Sequence, residues 1–271
     1  MTPRKIAILF HERHRGFTLN YHVQEFAQIW REEGHEVVEL FGVNEFVPAD
    51  LLFVHVDLSV VPEEYLRFGR RYPIVLNGRL RDIRKSSFSK IRLQLGDIYD
   101  GKVIVKSDLN YAGKPERFVG ASHQIREHGI MFTSPMEYRV FESIRDVPES
   151  VFTDPLMIVE RFMPEITEDG KYVMRAMQFL GNQVDCVQFV SDTPIVNGST
   201  GTLTGLVEPH PEMLAARKRM YFDYGKFDYV LHNGHPILLD TNKTVGAGIP
   251  NAPEDILAAR RKRADGIYDY F

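Results

Sequence analysis

The fold of this chain is decided by the segment Lys226-Phe-Asp-Tyr-Val-Leu-His-Asn-Gly-His-Pro-Ile-Leu-Leu-Asp-Thr-Asn-Lys243. Near its middle, Asn233-Gly234 is one of the preferred dipeptides for the turn of a β-hairpin. The flanking residues 227–231 and 236–239 are rich in the apolar and aromatic side chains that favour strands. The segment therefore predicts a β-hairpin.

Three side chains of this hairpin carry oxygen donors: Asp228 on the first strand, and Asp240 and Asn242 on the second. A carboxylate inside an apolar strand costs free energy unless it is paired or binds a metal ion. Mg²⁺ prefers hard oxygen ligands of this kind. The hairpin therefore predicts a magnesium site, and ordinary solvent-facing strand residues are the alternative.

The length of the hairpin loop decides whether these donors can meet. A two-residue loop, Asn233-Gly234, would pair Asp228 with Leu239 and send the donors of the second strand to the opposite face of the sheet. A three-residue loop that begins at His232, with Gly234 in the left-handed conformation, would bring those donors to the face of Asp228. We therefore expect the three-residue loop.

The composition is that of an ordinary globular protein. The 271 residues are 44% hydrophobic and 26% charged, with a net charge of −4. Because this charge gives no general attraction to nucleic acid or to anionic membrane, neither is expected as a partner. The one cysteine, Cys186, excludes an internal disulfide and is expected to be a buried thiol in a cytoplasmic protein. A homo-oligomer is left open.

The first part of the chain alternates between strand and helix patterns. Strands are predicted over 5–10, 36–41, 50–57 and 73–77, and helices over 21–33 and 62–71. This alternation predicts a parallel sheet with helices on both faces. Such sheets bind ligands at the carboxyl ends of their strands, which here are the loops at 11–18, 57–60 and 77–82.

An antiparallel pattern begins near residue 102. Strands are predicted over 102–107, 156–162, 171–180 and 183–191, the last two joined by the turn dipeptide Gly181-Asn182. Helices are predicted over 137–144, 208–224 and 254–271. The chain is thus expected to be an α/β protein in which a parallel part precedes an antiparallel part.

The order of these segments resembles that of the ATP-grasp superfamily. In that family an acidic residue on one strand and an acidic-x-Asn motif on the next hold the magnesium ions of MgATP, and the matching residues here are Asp228 and Asp240-Thr241-Asn242. The resemblance covers residues 75–250 and fits more loosely before them. It implies an α/β ATP-grasp fold with an N-terminal parallel α/β subdomain (1–95), a small lid subdomain (96–160) and a C-terminal antiparallel α+β subdomain (161–271).

Two lysines are similar to those that hold the nucleotide phosphates in this family. Lys106 ends an apolar strand, and the polar loop that follows contains Gly113, where a missing Cβ lets backbone amides approach phosphate. A lysine is a compact charge suited to phosphate. The second lysine is Lys90, with Lys85 as a rival assignment. For each lysine, an unspecialised position on the protein surface is the alternative.

Residues 157–163 look like the adenine-binding segment of the family. A purine needs a few polar anchors and an apolar slot. Phe162 and Met163 would form the slot, and Glu160 would accept a hydrogen bond from the exocyclic amine. Either Glu165 or Glu168 would hold the ribose hydroxyls.

The resemblance also implies catalytic cations in addition to Lys106. Arg175 stands inside a strand, where it must meet an anion or reach water. The equivalent arginine of the family contacts the transferred phosphate, whereas an internal ion pair is the alternative. Lys243 and the turn at 246–248 would border the substrate.

The activity implied by the resemblance is that of an ATP-dependent ligase, similar to glutathione synthetases and to ligases that modify ribosomal protein. Such an enzyme joins a small-molecule carboxylate to an amine or a peptide through an acyl phosphate, with ATP and Mg²⁺ as cofactors, and releases ADP and phosphate. A small-molecule kinase on the same scaffold and a non-catalytic nucleotide-binding regulator are the alternatives. No Walker A motif or nucleophile elbow points to another chemistry.

Overall fold

The computed structural model of the protein describes residues 2–120, 129–247 and 252–271. The helices are α1 (His22–Glu32), α2 (Glu63–Gly69), α3 (Lys85–Phe88), α4 (Lys114–Phe118), α5 (Glu149–Thr153), α6 (Pro211–Arg219) and α7 (Glu254–Ala264). The strands are β1 (Lys5–Phe10), β2 (Glu36–Phe41), β3 (Leu51–Val54), β4 (Ile74–Leu76), β5 (Arg92–Leu93), β6 (Val103–Ser107), β7 (Arg139–Phe141), β8 (Met157–Arg161), β9 (Glu165–Ile166), β10 (Tyr172–Leu180), β11 (Gln183–Ser191), β12 (Thr202–Leu206), β13 (Tyr224–His232) and β14 (His235–Asn242).

The first sheet is parallel and has the order β2-β1-β3-β4. On one face, α1 packs through Val23, Phe26 and Trp30, whose spacing places them on one side of a helix. On the other face, α2 packs through Leu66 and Phe68. The predicted parallel sheet with helices on both faces is confirmed.

The second sheet is antiparallel and has the order β5-β8-β6-β7. The helix predicted over 137–144 is wrong, because β7 forms there and Val140 lies opposite Ile104 of β6. Valine and phenylalanine suit a strand, and pairing with a neighbouring strand outweighs a weak local preference for helix. β5 also pairs with β8, which ties the end of the first part of the chain to this sheet.

The third sheet is antiparallel and has the order β12-β11-β10-β13-β14, with β9 as an additional partner of β10. The predicted hairpin around Gly181-Asn182 forms, with Leu180 opposite Gln183. The helix predicted over 208–224 is shorter, because α6 ends at Arg219 and β13 begins at Tyr224. The helix predicted over 254–271 ends with α7, and a 3-10 segment follows it at Asp265–Tyr270.

The second sheet and one face of the third sheet enclose a cavity, and the β13–β14 hairpin forms one of its walls. This arrangement brings strands from distant parts of the sequence to one site. In the three described ranges, no helix is long and apolar enough to cross a membrane.

Candidate functional site

The β13–β14 hairpin has a two-residue turn, so the predicted three-residue loop is wrong. His232 pairs with His235, and both Asn233 (φ 51°) and Gly234 (φ 79°) have positive φ. This is the type I′ geometry that an Asn-Gly dipeptide favours, because it matches the twist of the strands. The usual turn preference of this dipeptide therefore prevails.

A β-bulge in the second strand nevertheless brings the donors together. Tyr229 pairs with Leu238, whereas the next pair is Asp228 with Asp240, so Leu239 is an extra residue in β14. Such a bulge re-aims the side chains that follow it. Asp228 and Asp240 are therefore direct cross-strand neighbours on one face, and Asn242 follows on that face opposite Lys226. The predicted common face exists, but the bulge creates it and not the loop.

These side chains face a cavity of about 380 Å³ between the second sheet and the hairpin. Its apolar wall includes Ile91, Ile104, Met174 and Val230. Its charged lining includes Lys85, Lys106, Glu160, Lys226, Asp228 and Asp240. An apolar slot with a few convergent charged groups is the usual form of a small-molecule site.

Each carboxylate of this charged lining is paired with a lysine. Lys226 Nζ lies 2.8 Å from Asp228 Oδ2. Lys85 Nζ lies 3.2 Å from Asp240 Oδ1 and also donates to the backbone oxygen of Leu109 at 3.1 Å.

Lys106 pairs with Glu160, whose side chain is completely buried. The Lys106 ammonium also donates to the backbone oxygen of Leu239, the bulge residue, at 3.4 Å. The Lys106–Glu160 ion pair is therefore held against the β-bulge of the hairpin.

Burial and charge act against each other in these pairs. Burial raises the pKa of Asp228 more than the neighbouring Lys226 lowers it, so this carboxyl holds its proton more tightly than usual. Burial lowers the pKa of Lys226, but Asp228 and Asp240 outweigh that effect and raise it. Burial also lowers the pKa of Lys85, but Asp240, Tyr138 and Glu160 together outweigh that effect and raise it. The two lysines are therefore charged, and a positive ligand must compete with them for the carboxylates.

For a magnesium ion, the hairpin offers two carboxylates and one amide. Asp228 Oδ1 is buried and has no hydrogen-bond partner among the described residues. Those residues hold no group of three or more His, Cys, Asp or Glu side chains arranged for a metal ion. Mg²⁺ is usually bound by one or two carboxylates together with water and substrate phosphates, and Asp228, Asp240 and Asn242 fit that smaller set.

The end of β8 lines the opposite part of the cavity with Glu160, Phe162 and Met163. The backbone N–H of Arg161 donates to the backbone oxygen of Ile91 at 2.9 Å. The backbone N–H of Phe162 donates to the backbone oxygen of Lys102 at 2.9 Å. A purine would therefore have to use other backbone groups of this segment.

No protein-family model and no curated protein matches the chain. Among solved structures, it is similar to an ATP-grasp protein with a RimK domain from Sphaerobacter thermophilus, at 11% identity and a TM-score of 0.52, with 97% of this chain and 99% of that one covered. The chain has the ATP-grasp fold.

Two further solved structures align over nearly the whole chain. One is a D-alanine–D-alanine ligase from Bacillus anthracis, at 11% identity and a TM-score of 0.48, covering 98% of this chain and 96% of that one. The other is the macrocyclase MdnC from Microcystis aeruginosa bound with precursor peptide MdnA, at 11% identity and a TM-score of 0.49, covering 97% and 98%.

Arg175 does not lie in the cavity. It pairs with Tyr229 across the sheet, whereas its neighbour Ala176 pairs with Asp228, so its side chain is on the opposite face from the hairpin carboxylates. There it forms a two-pronged ion pair with Glu165, which also accepts the N–H of Leu231 at 2.6 Å. The alternative of an internal ion pair is the one that the structure shows.

Lys243 lies behind the hairpin, where its ammonium donates to the backbone oxygen of Leu58. Burial lowers the pKa of Lys243 to about 8, although Asp57 and Glu116 act in the opposite direction. Because its ammonium binds the oxygen of Leu58, Lys243 faces the loop after β3 of the first sheet, and it does not line the cavity. The predicted turn at 246–248 includes Gly248, which is outside the described residues.

The remaining predicted nucleotide contacts divide between the cavity and the surface. Lys85, the rival assignment, is buried in the cavity, whereas Lys90 is exposed. Gly113 has a φ of 74° in the loop after β6, but the cavity is lined by earlier residues of that loop. Glu168 is exposed, and Glu165 is paired with Arg175.

Sequence reasoning missed Lys226 as a member of the site. It stands two residues before Asp228 on β13, and side chains two apart on a strand share a face. That spacing was a usable signal. The loop at 194–199, which also lines the cavity, carried no comparable signal because its approach depends on the tertiary fold.

Proposed function

We propose that this protein is an ATP-dependent ligase that joins a carboxylate to an amine through an acyl phosphate and releases ADP and phosphate. The observation that carries the proposal is the set of lysine–carboxylate pairs Lys85–Asp240, Lys106–Glu160 and Lys226–Asp228, which converge on one cavity. ATP and Mg²⁺ are the proposed cofactors. The ranges 1–95, 96–160 and 161–271 are the proposed subdomains.

These pairs can exchange partners when a magnesium nucleotide binds. The ammonium groups would turn to phosphate oxygens, because lysine is a suitable charge for phosphate. Asp228 and Asp240 would turn to the metal ion, with Asn242 as the third donor. Buried charges stay compensated in both states, which matters because an unpaired buried charge is costly.

The adenine would occupy the apolar part of the cavity beside β8. Phe162 and Met163 line that part, and Ile104 and Met174 lie on its walls. Glu160 is proposed as an anchor for the exocyclic amine, which would compete with Lys106 for its carboxylate. Lys106 would then be released toward the phosphates.

In the proposed reaction, a carboxylate oxygen of the substrate attacks the γ-phosphorus and ADP leaves, which gives an acyl phosphate. The amine nitrogen then attacks the acyl carbon, the carbon–oxygen bond to phosphate breaks, and the amine loses a proton. Mg²⁺ held by Asp228, Asp240 and Asn242 would neutralise charge on the phosphate oxygens during such a transfer. This chain's own residues position the reactants and supply compensating cations.

Lys226 replaces Arg175 as the proposed cation next to the transferred phosphoryl group. Lys226 lies on the cavity face beside Asp228 and opposite Asn242, whereas Arg175 lies on the other face. A fixed positive charge at the place where negative charge develops is among the largest catalytic contributions. Lys106 and Lys85 remain the proposed phosphate lysines.

The first test measures the melting temperature with MgATP and with ATP in EDTA. A ligand that binds only the folded state stabilises it by mass action, so MgATP should give the larger shift. Equal shifts would contradict the metal site. The control is magnesium without nucleotide, which should have little effect because the hairpin supplies only part of a coordination shell.

The second test identifies the products formed with a mixture of small carboxylates and amines. ADP and phosphate are expected, and hydroxylamine should trap a hydroxamate from the acyl phosphate. Pyrophosphate and AMP would contradict this mechanism. ADP with a stable phosphate ester and no hydroxamate would show a kinase instead.

A further inference from the structure

A chain of hydrogen bonds joins the end of the hairpin to the first sheet. The hydroxyl of Tyr21 donates to Asp57 Oδ2 at 2.9 Å, and the hydroxyl of Thr244 lies 2.6 Å from Asp57 Oδ1. The backbone N–H of Thr244 donates to Asn242 Oδ1 at 2.7 Å. Asp57 follows β3, at the carboxyl end of the parallel sheet. The candidate metal ligand Asn242 is thus connected to a loop of the first sheet.

The distances fix which group donates at each step. Burial, together with the charge of Asp57, raises the pKa of Tyr21, so its hydroxyl keeps its proton and donates to Asp57. Thr244 is buried and has one hydroxyl proton to share between two acceptors. Its contact with Asp57 is 2.6 Å and its contact with Asn242 Oδ1 is 3.1 Å, so the Thr244 hydroxyl donates its proton to Asp57.

The direction of the Thr244 hydroxyl proton decides how many hydrogen bonds Asn242 Oδ1 accepts. This amide oxygen has two lone pairs, and the N–H of Thr244 takes one of them. Because the Thr244 hydroxyl donates to Asp57, it leaves the second lone pair of Asn242 Oδ1 open. A metal ion on the cavity face needs that lone pair.

We propose that Asp57 is a positioning residue that keeps Asn242 able to bind the metal ion, acting through Thr244. The inference rests on the proposed function, since it concerns the magnesium of that site. Asp57 does not line the cavity and has no hydrogen bond to Asp228 or Asp240, so its hydrogen-bonded path to Asn242 runs through Thr244. Its charge also acts on Lys243, and the double variant described below separates the two effects.

The test uses Asp57→Asn in the full-length protein. Tyr21 keeps its proton and is expected to donate to the new amide oxygen at the Oδ2 position, which leaves the amide nitrogen to donate to the Thr244 hydroxyl. That hydroxyl turns its own proton to Asn242 and fills the open lone pair. The magnesium concentration at half-maximal ATP-dependent thermal shift should rise by about 10-fold or more, the usual size of an effect on outer-shell partners of a metal.

A second substitution reverses the effect if the proposal is right. Thr244→Val in the Asp57→Asn background removes the competing proton and leaves the backbone N–H in place, so the magnesium midpoint should return toward that of the unmodified protein. A structural role would instead make the double variant worse. Mn²⁺ binding in the presence of ATP, followed by electron paramagnetic resonance, should give the same order of affinities.

Asp50→Asn is the matched control. Asp50 lies at the other end of β3 and accepts the N–H of Lys5 at 2.7 Å, so the charge change is the same and Asn242 is not involved. Its magnesium midpoint should not change. Melting temperatures without ligand show that each variant is folded.

Two results would overturn the inference while the proposed function stands: an unchanged midpoint for Asp57→Asn, or a double variant that is weaker than Asp57→Asn alone. If the unmodified protein shows no magnesium-dependent shift with ATP, the proposed function fails and this inference fails with it.

Discussion

The third sheet carries an ion pair on each of its two faces. Lys226 and Asp228 are 2.8 Å apart on the face toward the cavity, whereas Arg175 and Glu165 pair on the opposite face, where Leu231 closes the contact. Both pairs join a basic residue to an acidic one in apolar strands. The register decides the face of each residue, and of these two pairs only Lys226–Asp228 lies toward the cavity. The role of a charged residue in a strand can therefore be assigned only when the face of the sheet on which its side chain lies is known.

The largest expected effect is the loss of a hairpin carboxylate. Asp240→Asn should abolish the magnesium dependence of the ATP-induced thermal shift and lower kcat/KM by about 10²-fold or more, because the metal loses a charged ligand. Titration with MgCl₂ at fixed ATP measures the first effect. Glu165→Gln, on the other face, is the control and should keep the magnesium dependence. A magnesium response that survives Asp240→Asn would remove the metal site.

Loss of Lys226 should lower the activity, whereas loss of Arg175 should lower the stability. Lys226→Met should lower kcat by about 10²-fold, because a fixed charge at the phosphoryl group is lost. Arg175→Met should leave kcat nearly unchanged but lower the free energy of unfolding by about 2–3 kcal/mol, since Glu165 loses its positively charged partner and keeps only the N–H of Leu231. Urea unfolding and steady-state kinetics separate these outcomes. If Arg175→Met lowered kcat and Lys226→Met lowered only the stability, Arg175 and not Lys226 would be the cation at the phosphoryl group.

Acidification should weaken magnesium binding at the cavity face. Burial raises the pKa of Asp228, so this carboxyl takes up a proton at a higher pH than an exposed aspartate does. Below that pKa the proton competes with the metal ion, and the magnesium midpoint should rise as the pH falls. Asp228→Asn has no such proton to take up and should lack the trend. A midpoint that does not depend on pH in the unmodified protein would count against Asp228 as a ligand.

The smallest effect is expected at the turn that links the two strands. Gly234 has a φ of 79°, and Gly234→Val should cost about 1–2 kcal/mol of stability, because an L-residue is strained there. The magnesium dependence should persist, because the bulge at Leu239 sets the pairing of Asp228 with Asp240. Gly170→Val, at another open left-handed position with a φ of 82°, is the matched control for stability. Loss of the magnesium response only in Gly234→Val would show that the turn and not the bulge sets the register.

Local patterns predicted the parts of the fold that depend on local forces. The alternation of strands and helices predicted the parallel first sheet, and Asn233-Gly234 and Gly181-Asn182 marked turns that form. The three-residue loop was predicted because Asp228, Asp240 and Asn242 need a common face of the sheet. The bulge at Leu239 gives them that face with a two-residue turn, so the predicted loop length is wrong. The helix predicted over 137–144 failed because pairing with β6 outweighed local preference.

The candidate site was predictable in its residue types more than in its geometry. Asp228, Asp240, Asn242, Lys106 and Glu160 were singled out and the structure brings them to one cavity. Lys90 and Arg175 were chosen as well, but one is exposed and the other lies on the wrong face of the sheet. Both choices required knowledge of strands and loops that are far away in the sequence.

The sequence by itself determined the hairpin, its type I′ turn and its oxygen donors, because turn geometry and side-chain period depend on neighbouring residues. The tertiary structure decided which lysines meet which carboxylates and where β14 takes up its extra residue. Lys106 contacts the backbone of Leu239 across 133 residues of sequence. No local pattern encodes such a contact, because its free energy arises only when the second and third sheets pack together around the cavity.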